Sequence, residues 1–286
     1  MQAAVLAAIF LIAPLWAEFV LVPRYSAQFQ EVATLHIEEA QLNDKKILLL
    51  GDSTAEGLRR MTSPSIPWVN FSLAGTSVFI WEILAKKGLS ERPKIGEVVA
   101  MATAMNFGKG ISFENPIYLP YLLSTADIFR RWREKEIPAR VVISLVFQKF
   151  VRAYCSRSEL AYHFFSMTEP LGPWAAELLR GKIPASGNPP SSEYEFHYYE
   201  ILAATTRAHQ ARLTLILSPA SSIARASLSY TRGVEAFYRA CHTLELRCIS
   251  LEETFSDSDF TADGLHVKEE LNEKLGRLVE ARLAQP

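Results

Sequence analysis

Four apolar residues in unbroken succession, Ile47-Leu48-Leu49-Leu50, run without a spacer into Gly51-Asp52-Ser53 and on into Thr54-Ala55-Glu56-Gly57. A run with no polar alternation, preceded by Lys45 and Lys46, predicts a central strand covered on both faces. That demand for two covering layers limits the fold more than any other feature of the chain. Gly51 permits a sharp turn at the end of the strand. Asp52 or Ser53 is then placed to cap the helix that Ala55-Glu56-Gly57-Leu58 begins. A serine held there sits at a helix N-terminus, where free N–H groups stabilise developing negative charge. The same three residues also suit an ordinary helix cap after a strand, so their meaning depends on the partners the chain supplies elsewhere.

From Lys45 onward, apolar strand runs alternate with helical stretches, the pattern of a parallel α/β sheet. Further strands are predicted over 66–73, 140–147, 212–217 and 247–251. Helices are predicted over 78–87, 98–106, 124–136, 193–211, 230–244 and 268–284. Two connections, about 89–123 and 149–192, are long and rich in aromatic residues, and suit either the walls of a site or added core and contact surface. With 286 residues, 49% hydrophobic and 21% charged, the chain can bury a sizeable core. Thirty basic against thirty-one acidic residues give a net charge of −1, which leaves no footprint for nucleic acid. Three cysteines (Cys155, Cys241 and Cys248) do not make a disulfide framework; Cys241 and Cys248 could pair in an exported chain, but spacing alone does not show it, and free buried thiols are expected. His36, His163, His197, His209 and His242 show no metal-ligand spacing, and no phosphate loop is present, so neither a metal nor a cofactor is expected.

The N-terminal stretch is of another kind. Residues 3–22 are almost wholly apolar, broken by Pro14 and Glu18, and are long enough to span a bilayer as a helix. Residues 1–24 are therefore read as a membrane anchor or a signal segment. No Lys or Arg precedes the run, and Leu15-Trp16-Ala17 is a poor cleavage site, which favours the anchor. Residues 25–44 form a connector, with Val32, Leu35 and Ile37 loosely spaced for a helix, and 45–286 form the soluble catalytic domain.

Two other segments could complete a reactive site around Ser53. Thr261-Ala262-Asp263-Gly264-Leu265-His266-Val267 lies between the last strand and the last helix. An Asp three residues before a His in a turn can hold the far side of the imidazole, fixing its tautomer and stabilising its protonated form. Loops after strand ends gather along one edge of a doubly wound sheet, so Ser53 and His266 can meet there. Gly75, just past the second strand in Asn70-Phe71-Ser72-Leu73-Ala74-Gly75, can bring its N–H close to a reacting carbonyl, and with the Ser53 N–H would form an oxyanion hole.

Gly51-Asp52-Ser53 after a first strand, Gly75 after a second, and Asp263-x-x-His266 before a last helix together resemble the SGNH (GDSL) hydrolases, over about 45–284. The resemblance implies a flavodoxin-like three-layer α/β/α sandwich with a mostly parallel five-stranded sheet, and serine acyl chemistry on an ester. It makes Ser53 the nucleophile, His266 the general base and then acid, Asp263 its orienter, and Ser53 and Gly75 backbone donors. The family's Gly-x-Asn-Asp block after the middle strand has no match, since the strand predicted there ends Val146-Phe147-Gln148-Lys149. Gln148 is the expected substitute for the missing oxyanion donor, with Asn106 and Asn115 as others.

Three functions are compatible with these residues. The first is an esterase that removes an acyl group, acetyl above all, from a glycan or lipid at the cell envelope. The second is an O-acyltransferase to an envelope polysaccharide, similar to the family branches that acetylate alginate beside membrane partners. The third is an inactive binding or assembly protein of the same fold. An extracytoplasmic location, membrane attachment through the N-terminal segment and envelope protein partners are expected with the first two.

Overall fold

The computed structural model describes residues 30, 32–33, 35, 46–60, 68–90, 94–108, 118–137, 139–150 and 192–285. The apolar run becomes β1 (Ile47–Gly51), with Leu48, Leu49 and Leu50 buried. It leads into a one-turn helix, α1 (Ser53–Glu56), continued by a 3-10 turn (Gly57–Arg60). There follow β2 (Trp68–Asn70), α2 (Val78–Ser90), β3 (Glu97–Ala102) and α3 (Ala104–Phe107). Next come α4 (Leu119–Leu122), α5 (Thr125–Arg133), α6 (Ala139–Phe150) and α7 (Ser192–Ala208). The chain finishes with β4 (Arg212–Leu217), α8 (Ser222–Arg225), α9 (Leu228–Thr243), β5 (Arg247–Ser250) and α10 (Asn272–Leu283).

All strand pairings are parallel, in the order β2-β1-β3-β4-β5. In this doubly wound order the winding reverses between β1 and β3, and that crevice is where such sheets bind ligands. Strand alternation sends Leu49, Val99, Met101 and Ile216 to one face, where they pack with Ala55, Leu58, Leu275 and Val279. On the other face Leu48 lies against Gly88 of α2. There Phe79 meets Tyr198 of α7 edge-on at 4.8 Å, and Phe107 meets Phe237 of α9 at 5.0 Å. Burying each of these large apolar side chains contributes about 1.5–3 kcal/mol, which is why both faces are covered. The result is the expected three-layer α/β/α sandwich.

The chain divides into two compact units. Residues 35–111 with 190–286 hold the whole sheet, and residues 1–34 with 112–189 hold α4, α5 and α6. In the latter, Ser124 and Asp127 close a capping box at the start of α5, and the Ser124 hydrogen bond to the Asp127 carboxylate lowers its pKa. Lys149 Nζ donates to the carbonyls of Pro120 and Leu123, joining α6 to the end of α4.

Two predicted elements exchange character. Residues 98–106, expected as a helix, supply the central strand β3, and 140–147, expected as the middle strand, form α6 outside the sheet. Both runs are apolar without polar punctuation, so periodicity cannot separate a fully buried strand from a buried helix. A third expectation is also reversed: Cys241 and Cys248 are not free thiols but form a disulfide, with Cα atoms 6.0 Å apart. The turn after α9 brings the two cysteines within bridging distance across a separation of 7 residues. Of the connector, Val32 and Leu35 are helical and buried. Residues 1–24, the connector apart from 30, 32–33 and 35, and nearly all of 149–192 lie outside the described residues. Among the described residues no helix is long and apolar enough to cross a membrane.

Candidate active site

At the end of β1 a side chain on Gly51 would place its Cβ 1.8 Å from the Met101 carbonyl, so glycine alone lets β1 stay paired with β3 through this turn. Asp52 is next, wholly buried, as the N-cap of α1. Its carboxylate accepts five hydrogen bonds: from Thr54 N–H and Oγ1 at 2.9 and 2.6 Å, from Thr103 N–H and Oγ1 at 2.8 and 3.0 Å, and from Asn106 Nδ2 at 2.5 Å. These donors are all neutral. A buried carboxylate without them would cost several kcal/mol, so the set fastens the turn carrying Ser53 to the exit of β3. Thr54 Oγ1 also lies 2.8 Å from Ser218 Oγ, just past β4. Ser53 is the first residue of α1, and its backbone N–H has no intrahelical acceptor.

The histidine arrives on a different kind of support. Between β5 and α10, an antiparallel bridge pairs Phe260 with Val267, and Thr261 N–H donates to the His266 carbonyl at 2.8 Å. The loop so closed is turned by Gly264 (φ 70°), whose Cβ position would lie 2.3 Å from Ser221 Oγ. The Gly264 carbonyl accepts from Ser221 N–H at 2.9 Å, which seats the loop on the turn after β4. Within it, Asp263 Oδ1 accepts from Thr261 Oγ1, Leu265 N–H and His266 N–H at 2.7, 2.9 and 3.1 Å. Partial burial pushes the Asp263 carboxyl up, but the hydrogen bonds from Thr261, Leu265 and His266 outweigh it and hold the group well below its ordinary 3.8. An ionised carboxylate can only accept, so the proton of the ring lies on Nδ1, which donates to Asp263 Oδ2 at 2.5 Å. Nε2 is left with its lone pair and accepts from the Ser53 hydroxyl at 2.6 Å. The His266 and Asp263 side chains are 37% and 47% exposed, so solvent reaches the pair.

Ser53, Asp263 and His266, expected to meet, are in hydrogen-bond contact across 213 residues of sequence. Gly75 lies exposed in the turn after β2 with φ 68°. That turn is anchored beside the nucleophile, because Leu73 N–H and Thr76 Oγ1 both donate to the Gly51 carbonyl, at 3.1 and 2.9 Å. Gln148 is on α6, in the unit without the sheet, so it does not follow the middle strand. The residues directly after that strand are Thr103-Ala104-Met105-Asn106, and the Asn106 amide donates to Asp52 Oδ2 and, at 3.2 Å, to Thr103 Oγ1. Asn115 lies outside the described residues. Thr103, Ser218 and the bracing role of Asp52 were not expected. Their signal was available in principle, since polar residues closing apolar runs (Thr103 after 98–102, Ser218 after 213–217) repeat the pattern of Asp52. Among the described residues no group of three His, Cys, Asp or Glu side chains could hold a metal ion.

No protein-family model matches the sequence, and no curated protein is similar to it in sequence. Among solved structures the chain is similar to a GDSL-like lipase from Bacteroides thetaiotaomicron, with 12% identity and a TM-score of 0.45 over 88% of this chain and 96% of that one. It is also similar to a catalytic mutant of an acetylxylan esterase from Geobacillus stearothermophilus, with 9% identity and a TM-score of 0.41 over 84% and 94%.

Proposed function

We propose that this chain is a serine esterase of the SGNH (GDSL) type that removes an acyl group, acetyl above all, from a glycan or lipid at the cell envelope. The observation that carries the reading is the continuous line from Ser53 Oγ through the His266 ring to Asp263, at 2.6 and 2.5 Å. In this reading Oγ attacks the ester carbon while Nε2 takes its proton, and the Asp263 carboxylate stabilises the imidazolium. The C–O bond to the alcohol then breaks and the alcohol leaves with that proton. Water adds to the acyl-enzyme by the same steps reversed, releasing the acid and restoring Ser53. The Ser53 N–H meets the charge on the carbonyl oxygen, with the Gly75 N–H as the proposed second donor. The Asn106 amide serves this site through Asp52, to which it donates. The Cys241–Cys248 bridge supports an oxidising compartment, in keeping with the apolar N-terminal run. The chemistry needs no cofactor.

The test is hydrolysis of p-nitrophenyl acetate by the full chain in detergent, beside Ser53→Ala and His266→Ala. Each substitution is expected to lower kcat by about 10⁴-fold or more, and a fluorophosphonate probe is expected to label Ser53 in the unaltered chain. Full activity in Ser53→Ala, or neither turnover nor labelling in the unaltered chain, overturns the reading. Labelling without turnover points to transfer onto an acceptor other than water.

A further inference from the structure

Beside the Ser53–His266 contact the surface opens into a shallow hollow. Pro219, Leu265, Val267 and Leu275 give it apolar walls, and Thr54, Gly57 and Asn272 line it beside Ser53 and His266. Gly57 stands one helical turn beyond Ser53, so it lies on the same side of the nucleophile's helix. A Cβ on Gly57 would come within 3.3 Å of Asn272 Oδ1, so the absence of a side chain there keeps the space in front of the Asn272 amide open. Asn272 is half-buried at the first turn of α10; its backbone N–H donates to the Glu269 carbonyl, and its side-chain amide makes no hydrogen bond to the described residues. Its amide is therefore both a donor and an acceptor available to whatever enters.

Resting on Ser53 as nucleophile, we infer that this hollow binds the alcohol half of the ester, and that the alcohol is a sugar. The direction comes from the proton. When the C–O bond breaks, the leaving oxygen must collect the proton carried by Nε2, so it has to lie within hydrogen-bond reach of His266. The hollow is lined by His266 itself and by both its neighbours in sequence, Leu265 and Val267. Any hydroxyl that attacks the acyl-enzyme gives its proton to the same Nε2 and forms the bond that was broken, so an acceptor sugar occupies the same place. The walls suit such a guest: apolar side chains cover the C–H face of a pyranose ring, and one amide reads a neighbouring hydroxyl in both hydrogen-bonding senses. The Asn272 amide is a specificity-determining group, and Gly57 sets the depth available to the ring.

Two ester series test this on the full chain. One holds the acetyl group constant and varies the alcohol (acetylated methyl glucoside against hexyl acetate). The other holds p-nitrophenol constant and varies the acyl group (acetate against butyrate). Asn272→Leu and Gly57→Val are expected to lower the kcat/KM ratio of glucoside acetate to hexyl acetate by about tenfold or more. The acetate-to-butyrate ratio should stay within about twofold. A shift in the acyl series with none in the alcohol series overturns the inference by assigning the hollow to the acyl group. No shift in either series, or an unaltered chain that prefers hexyl acetate, overturns it as a sugar subsite. Fluorophosphonate labelling of Ser53 separates these failures from failure of Ser53 as nucleophile, because the labelling depends on that serine and not on the hollow.

Discussion

The turn that carries Ser53 and the loop that carries His266 solve the same positioning problem in opposite ways. Asp52 is wholly buried and reaches across to β3, so the turn carrying Ser53 is held by Asp52's hydrogen bonds from Thr103 and Asn106, which lie 51 and 54 residues away. Asp263 is 47% exposed, and its four hydrogen bonds all come from residues within three positions of it. The first support is part of the fold's core, whereas the second is a local structure resting on it. Stability and chemistry should therefore come apart: damage to the Asp52 set unfolds the protein, and damage to the Asp263 set leaves it folded and inactive.

The sharpest way to break that contrast is Asp263→Asn. With an amide in place of the carboxylate the ring loses its ionic partner, and kcat for p-nitrophenyl acetate is expected to fall by about 10³–10⁴-fold. The denaturation midpoint should move by less than about 1 kcal/mol in equivalent stability, as befits an exposed pair. A midpoint that falls as far as activity would erase the distinction. Next in size is Asp52→Ala, which strands buried donors on Thr54, Thr103 and Asn106. At about 1–3 kcal/mol for each donor left unsatisfied, a loss of about 3 kcal/mol or more is expected in urea unfolding. Asn106→Ala removes one of the five donors and leaves the carboxylate four, so a loss of about 1–2 kcal/mol is expected by the same measurement.

The smallest effect is a pH dependence. The Asp263 carboxyl is held below its ordinary 3.8 in the folded chain, so the unfolded chain binds the proton first as pH falls. Its contribution to stability is complete above about pH 5, shrinks as pH falls below about 4, and is gone below the folded value. The stability difference between the unaltered chain and Asp263→Asn should therefore narrow as pH falls below about 4, as read from urea midpoints. A difference that grows on acidification would contradict the hydrogen-bonded, ionised Asp263.

How much of this could be read in the sequence depended on whether the deciding contacts were local. β1, β4, β5 and the last helix have runs bounded by clear punctuation, and Asp263-x-x-His266 fits in one turn, so these were legible. The middle of the sheet was not. Val98-Val99-Ala100-Met101-Ala102 is rich in helix formers yet becomes the central strand, because β1 and β4 on its two sides satisfy its backbone. Val141-Val142-Ile143 is β-branched, a strand composition, yet coils into α6. Assigning the middle strand to 140–147 also drew the oxyanion search to Gln148, some forty residues past the true strand exit at Thr103-Ala104-Met105-Asn106. Asp52 could be read as a helix cap because Thr54 is two residues away, but its bonds to Thr103 and Asn106 exist only once β1 and β3 pair. The disulfide was hidden for a similar reason, since the turn between α9 and β5 brings Cys241 and Cys248 together.

The Phe260–Val267 bridge closes the histidine loop on itself, so His266 and Asp263 share one short segment, which the Gly264–Ser221 contact seats on the turn after β4. The contact from Nδ1 to Asp263 therefore depends on one short segment alone, whereas the contact from Nε2 to Ser53 depends on how that segment sits on the rest of the fold.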